Sequence, residues 1–198
     1  MTANKLEQGF KLSKSERQQL HGHASFLVWF TGLSGAGKST LSEAVERKLH
    51  SLKISTFRLD GDNLRSGINA DLGFSAEDRV ENIRRASEIS KLFIEAGHVV
   101  LGSFISPYRE SRAKIRSLVG EENYLEIYMS SSLENCEERD IKGLYKKARS
   151  GEILQFTGIS APYEAPEKPD LEINIDALNL AEAVDKVLEV ITPKLALK

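Results

Sequence analysis

Phe26-Leu27-Val28-Trp29-Phe30-Thr31-Gly32-Leu33-Ser34-Gly35-Ala36-Gly37-Lys38-Ser39-Thr40 carries the architecture in miniature. Its first six residues are apolar or β-branched without a break, the pattern of a strand buried on both faces. Residues 32–39 match G-x-x-x-x-G-K-[ST] at every fixed position. Glycines let the backbone turn tightly enough to aim several N–H groups at phosphate oxygens, and the helix that follows adds its positive N-terminal end. In this motif the lysine, Lys38, reaches the β- and γ-phosphates, and the hydroxyl of Ser39 binds Mg²⁺. The stretch reads as strand, anion cradle and helix. The chain therefore binds a nucleoside triphosphate, with Gly32, Leu33, Ser34, Gly35, Ala36, Gly37, Lys38, Ser39 and Thr40 around the nucleotide.

Outward from this stretch, further apolar runs recur at Ile54–Leu59, Val99–Ile105, Tyr124–Met129 and Leu171–Ile175. Each is short enough for a buried parallel strand. Helical patterns separate them: Ser39–Leu52, Ala76–Ala96 behind a capping pattern Ser75-x-x-Asp78, Arg109–Val119, Leu133–Arg139, Gly143–Arg149 and Leu178–Val190. The alternation predicts a three-layer α/β fold, a parallel five-stranded sheet flanked by helices in the manner of the P-loop nucleotide kinases.

With 198 residues the chain suits one domain, read here as an N-terminal arm over 1–24 and a kinase domain over 25–198. A net charge of −2 gives no global basic field, so nucleic acid is not expected as a partner. The one cysteine, Cys136, allows no intrachain disulfide and reads as a small packed residue in a reducing compartment. Met1–His23 has no apolar core of a signal peptide, and no segment approaches a membrane span. A cytoplasmic location is the expectation.

Ligands of such sheets bind at the carboxyl ends of the strands. Those positions are polar here: Asp60-Gly61-Asp62-Asn63-Leu64-Arg65, Ser106-Pro107-Tyr108-Arg109 and Ser130-Ser131-Ser132. Read as extended residues, Asp60 and Asp62 at i and i+2 point to one side, near the Mg²⁺ held by Ser39. One would organise the metal and the other accept the proton of an acceptor hydroxyl; Asp62 is the favoured base or metal organiser, with Asp60 as the alternative. Arg79 and Asn82 share a helix face at i and i+3, opposite a stripe of Val80, Ile83, Ala86, Ile89, Ser90 and Phe93. With Arg65 they suit an anionic acceptor, because guanidinium forks match phosphate or sulfate oxygens. Phe74 and Phe156 are loop aromatics able to stack on a base. The basic stretch 139–149, with Asp140 as its only acid, reads as the start of a lid over about 139–160 that closes on the phosphates and excludes water.

Together these motifs, with Phe104-Ile105-Ser106-Pro107-Tyr108-Arg109, Lys142-Gly143-Leu144-Tyr145-Lys146-Lys147-Ala148-Arg149 and Phe156-Thr157-Gly158-Ile159, resemble the adenylylsulfate kinase (APS kinase) family. The resemblance runs from about Ser15 to Asp176. It implies transfer of the ATP γ-phosphate to the 3′-hydroxyl of adenosine 5′-phosphosulfate, giving 3′-phosphoadenosine 5′-phosphosulfate in sulfate assimilation, with Mg²⁺ as cofactor. It places the acceptor's phosphosulfate and ribose on Asp62, Arg65, Arg79 and Asn82, and its adenine between Phe74 and Phe156. Ile105, Ser106 and Lys142 line the same pocket. The family's serine at the Ser106 position is described as carrying a phosphoryl group, which would make the chain a phosphoprotein; direct in-line transfer with Ser106 as a positioning group is the reading preferred here. The resemblance also implies a homodimer and admits association with an ATP sulfurylase. Ser66 stands where the family commonly has histidine, and Gln155 where it has a small residue. Another small-molecule P-loop kinase, or an ATP-binding regulatory domain without catalysis, is the competing expectation.

Overall fold

Strand β1 (Leu27–Gly32) is buried at every residue, and its alternation divides the molecule into two cores. Val28 and Phe30 point to a face covered by helices α2 (Lys38–Ser51) and α8 (Leu180–Ile191), packing with Leu41, Val45, Leu49, Val187 and Ile191. Leu27 and Trp29 point to the other, where α4 (Ala76–Glu95) and α5 (Arg109–Val119) supply Ile83, Ala86, Ile94, Ile115 and Val119. The computed structural model describes residues 11–197, so the first ten residues of the predicted arm lie outside the described residues.

Strands β2 (Thr56–Asp60), β3 (Val99–Ser103), β4 (Tyr124–Met129) and β5 (Leu171–Ile173) complete a sheet of order β2-β3-β1-β4-β5, parallel at every pairing. The chain leaving β1 runs toward the β2 edge, and the chain leaving β3 crosses back to β4. Their connections diverge, which opens a crevice at the carboxyl ends of β1 and β3. The phosphate loop and Ser106 flank it. Close strand packing at its base depends on Gly102 in β3, where an added Cβ would lie 2.6 Å from Trp29 Cε3.

Helix α6 (Leu133–Arg139) leads into the stretch expected to act as a lid, and α7 (Leu144–Arg149) lies within it. Two elements were not anticipated. Helix α1 (Lys14–His21), within the stretch read as an arm, has a reciprocal capping box of Ser13 and Glu16 but buries no residue, so it has no apolar stripe to announce it. Helix α3 (Gly61–Arg65) is a single turn started by Asp60, whose side chain accepts the Asp62 N–H. The expected β3 run to Ile105 ends at Ser103, because the chain turns at Ser106, where φ is +41°. On α4 the Ser75 hydroxyl caps the Asp78 N–H at 3.1 Å, while the Asp78 carboxylate turns away to accept from Gly73 N–H at 3.0 Å. Among the described residues no helix is long and apolar enough to cross a membrane.

Candidate active site

The phosphate loop enters α2 through Gly37, whose φ of +81° serves as the helix N-cap and is a left-handed conformation that favours glycine. An added Cβ there would also lie 2.6 Å from Ile175 Cδ1. Lys38 folds back into the loop, donating to the carbonyls of Gly32 (3.0 Å) and Leu33 (2.6 Å). It is 8% exposed, and burial pulls its ammonium from the ordinary 10.5 down to about 8. Tyr145 of α7 donates to the Ser34 carbonyl at 2.8 Å, so the stretch expected to act as a lid touches the loop directly. The Ala36 side chain is buried in the core, and Ser34, Gly35, Gly37, Lys38, Ser39 and Thr40 face the cleft.

Ser39 Oγ donates to Asp60 Oδ2 at 2.7 Å. These hard oxygen donors at the phosphate end suit Mg²⁺, which takes few protein ligands and completes its shell with water and phosphate oxygens. The expectation that Asp60 and Asp62 project from one extended strand is overturned. Asp60 is committed to Ser39 and, through Oδ1, to the Asp62 N–H at 3.0 Å, and the chain turns into α3 between them. Asp62 consequently projects from the first turn of α3 with its side chain 70% exposed, paired with the Lys142 ammonium just before α7. The two carboxylates are thereby separated, Asp60 beside Ser39 and Asp62 toward Lys142.

A cleft of about 690 Å³ runs from these residues along α3 and α4, lined by Asp62, Arg65, Phe74, Arg79, Asn82, Ile105, Ser106, Lys142 and Phe156, all nine residues expected at the acceptor. The predicted face of α4 is corrected. Val80 is 39% exposed, whereas Arg79 and Asn82 are buried beside Ile83 and Ala86. The reason is local: at its N-terminal end α4 packs against the loop at 155–157, and Arg79 supplies that contact. Its guanidinium donates to the carbonyl of Phe74 (3.0 Å), the Thr157 hydroxyl (2.7 Å) and the Gln155 carbonyl. Because Gln155 takes part through its backbone, its departure from the family's small residue leaves this contact intact. Arg65 lies over the Phe74 ring, 4.4 Å from guanidinium carbon to centroid, and donates to the Gly73 carbonyl at 2.6 Å. Phe74 is 59% exposed, while Phe156 packs edge-on against Tyr145 in the core. Ser66 closes α3 with its hydroxyl on the Asn63 carbonyl.

The model of the adenylylsulphate kinase family matches residues 24–174. The chain belongs to the adenylylsulfate kinase family. It is 56% identical over 178 residues to the adenylyl-sulfate kinase of Acaryochloris marina, covering 90% of this chain and 87% of that protein. It is 52% identical to that of Staphylococcus haemolyticus over 93% and 92% of the two chains. Among solved structures it is similar to Mycobacterium tuberculosis APS kinase in complex with AMPPNP and APS, with a TM-score of 0.82 and 47% identity over 85% of this chain and 98% of that one.

Around this adenylylsulfate kinase site stand residues that sequence reasoning passed over. Ser106 is 1% exposed; its hydroxyl accepts from Trp29 Nε1 at 3.0 Å and donates to Thr31 Oγ1 at 2.9 Å. Thr31 in turn donates to the Ile105 carbonyl at 2.8 Å and meets the Tyr163 hydroxyl at 2.9 Å. Asn69, fully buried, donates to Asn82 Oδ1 at 2.9 Å. Trp29 reads in sequence as core and nothing more, and Asn69 and Tyr163 stand in loops with no motif spacing to mark them.

Proposed function

We propose a division of roles for the reaction of this kinase, which transfers the γ-phosphate of ATP to the 3′-hydroxyl of adenosine 5′-phosphosulfate. Lys38 and the N–H groups of the phosphate loop hold the β- and γ-phosphates, and phosphate charge favours the protonated form of the buried ammonium. Ser39 and Asp60 would hold Mg²⁺, which when bound would supply neutralisation of phosphate charge. Asp62 accepts the proton of the 3′-hydroxyl, a general-base role typically worth about 10²- to 10⁴-fold. Arg65 and Arg79 take the phosphosulfate. Three of the five N–H donors of Arg79 are engaged, which leaves two for anionic oxygens. Asn82 orients the acceptor, the adenine lies between Phe74 and the cleft-side edge of Phe156, and Ile105 and Lys142 close the pocket.

The observation that carries this assignment is the separation of the carboxylates: Asp60 held by Ser39, Asp62 free of the metal pair and facing the arginine-rich end of the same cleft. Ser106 acts by position. Its hydroxyl is spent between Trp29 and Thr31, and that network contains no carboxylate or imidazole to take its proton. Residues 139–160 act as the lid, docked through Tyr145 on Ser34, Lys142 on Asp62, and Arg79 on Gln155 and Thr157. We propose further, on the family resemblance and not on this geometry, a cytoplasmic homodimer able to work beside an ATP sulfurylase. ADP release from Mg²⁺-ATP, measured with adenosine 5′-phosphosulfate and with shikimate, gluconate and adenosine, tests the reaction. Stimulation by the phosphosulfate alone, with a 3′-phosphorylated product, is the expected result; stimulation by another hydroxyl compound, or by none, refutes it.

A further inference from the structure

Arg112 of α5 has no part in the roles above, yet it is 3% exposed and its guanidinium is spent on three separate segments. Nη1 donates to the Ser106 carbonyl at 2.6 Å and Nη2 to the Glu164 carbonyl at 2.6 Å. Nε lies 2.9 Å from Oε1 of Glu126 in β4, a close ion pair without the alignment of a hydrogen bond. Both partners are buried. A buried ion pair is weak as a stabiliser, because desolvation offsets the attraction and well-packed apolar replacements are often no worse. What this pair does hold is a backbone that would otherwise relax. Ser106 has φ +41°, uncommon for a residue with a Cβ, and such strain persists only where the surroundings impose it. Arg112 grips its carbonyl from behind while Trp29 and Thr31 hold its hydroxyl in front. A second strap joins the same turn: the Glu164 N–H donates to the Pro107 carbonyl at 2.8 Å, and the Arg109 N–H to Glu164 Oε2 at 2.8 Å.

We propose that Arg112, anchored by Glu126, is a positioning residue for the acceptor: it fixes the left-handed turn at Ser106 and so sets the Ile105–Ser106 wall of the cleft. The proposal rests on the reading that this wall belongs to the acceptor end. A misplacement of about 1 Å in such a wall is enough to impair transfer severely while the phosphate loop, on the other strand end, is unaffected.

The test uses the full chain and its sole tryptophan, Trp29, whose N–H rests on the Ser106 hydroxyl and whose emission therefore reports the turn. Arg112→Met is expected to raise the acceptor KM about tenfold or more, leave the ATP KM within about twofold, and shift Trp29 emission. Arg112→Lys, which can keep one carbonyl bond, should recover part of the loss. The double variant Arg112→Met/Glu126→Leu removes both charges and restores stability in urea without restoring the acceptor KM; that outcome separates positioning from folding. If the double variant binds acceptor as the wild type does with unchanged emission, or if both KM values rise together, the proposal is overturned. Should Arg112→Met fail to fold, Glu126→Gln, which keeps the side-chain volume, must give the same KM split at smaller amplitude, and its absence counts against the proposal. Ser106→Gly checks the underlying reading. An unchanged acceptor KM there refutes the assignment of the wall and the proposal with it, whereas a raised KM beside an inert Arg112→Met overturns the proposal alone.

Discussion

Lys38→Met keeps most of the side chain's volume and removes its charge. Burial holds the Lys38 ammonium near 8 instead of 10.5, and the distance between those values costs the folded protein about 3 kcal/mol at neutral pH. Methionine escapes that cost but leaves the Gly32 and Leu33 carbonyls without their partner, a loss of about 1 kcal/mol each. The variant should therefore be more stable than the wild type by about 1 kcal/mol at pH 7 while losing phosphoryl transfer. The pH dependence is the sharper test. Between about pH 8 and 10.5 the unfolded chain holds a proton at Lys38 that the folded chain does not, so wild-type stability rises with pH. From about pH 7 to about pH 9.5 the rise contributed by this one group is about 2 kcal/mol. Every other titrating group is shared, so the difference between wild type and variant in urea unfolding isolates it. Saturating Mg²⁺-ATP should flatten the wild-type rise, since phosphate charge keeps the ammonium protonated, and ATP affinity should weaken above about pH 8. A wild-type-minus-variant difference that stays constant across this range would refute the argument that burial, and not hydrogen bonding, governs Lys38.

Asp62→Asn should lower kcat about 10²- to 10⁴-fold with ATP affinity within about twofold and stability within about 0.5 kcal/mol, because its side chain is 70% exposed; full turnover would remove it as the base. Arg79→Lys, which cannot span Phe74, Gln155 and Thr157 together, should raise the acceptor KM about tenfold and speed amide exchange at 155–157, and unchanged exchange would show the lid is anchored elsewhere. Ser106→Ala should keep kcat within about tenfold, and the wild type should trap no phosphoenzyme from labelled ATP; abolished transfer in the variant, or label on Ser106 of the wild type, would restore the covalent role. Gly102→Ala forces a Cβ to 2.6 Å from Trp29 Cε3 and should destabilise by about 1–3 kcal/mol in urea, so an unaltered midpoint would contradict the packing described.

The parts of the site legible in the sequence are those whose chemistry is local. The phosphate loop is a run of consecutive residues whose backbone N–H groups suit phosphate, and five apolar runs with helices between them point to a parallel three-layer sheet without giving its strand order. The i, i+2 spacing of Asp60 and Asp62 predicts a shared orientation that the structure does not have. A five-residue helix has no periodicity to detect, and Asp60 in capping it turns Asp62 away from Ser39. Arg79 stands out in the sequence by its charge and falls on the polar face of the α4 pattern, because a helical pattern sees its own element and not the loop at 155–157 that arrives from 76 residues further along the chain. The same blindness hides Trp29. As a strand residue it is indistinguishable from any buried aromatic, and only the pairing of β1 with β3, which brings its indole N–H to Ser106, gives it a place in the site. Residues that meet ligand declare themselves through the demands of that ligand's chemistry. Those that hold them in place are declared only by tertiary contact, and Arg112, reaching Ser106, Glu126 and Glu164 from one buried guanidinium, is the clearest case in this chain.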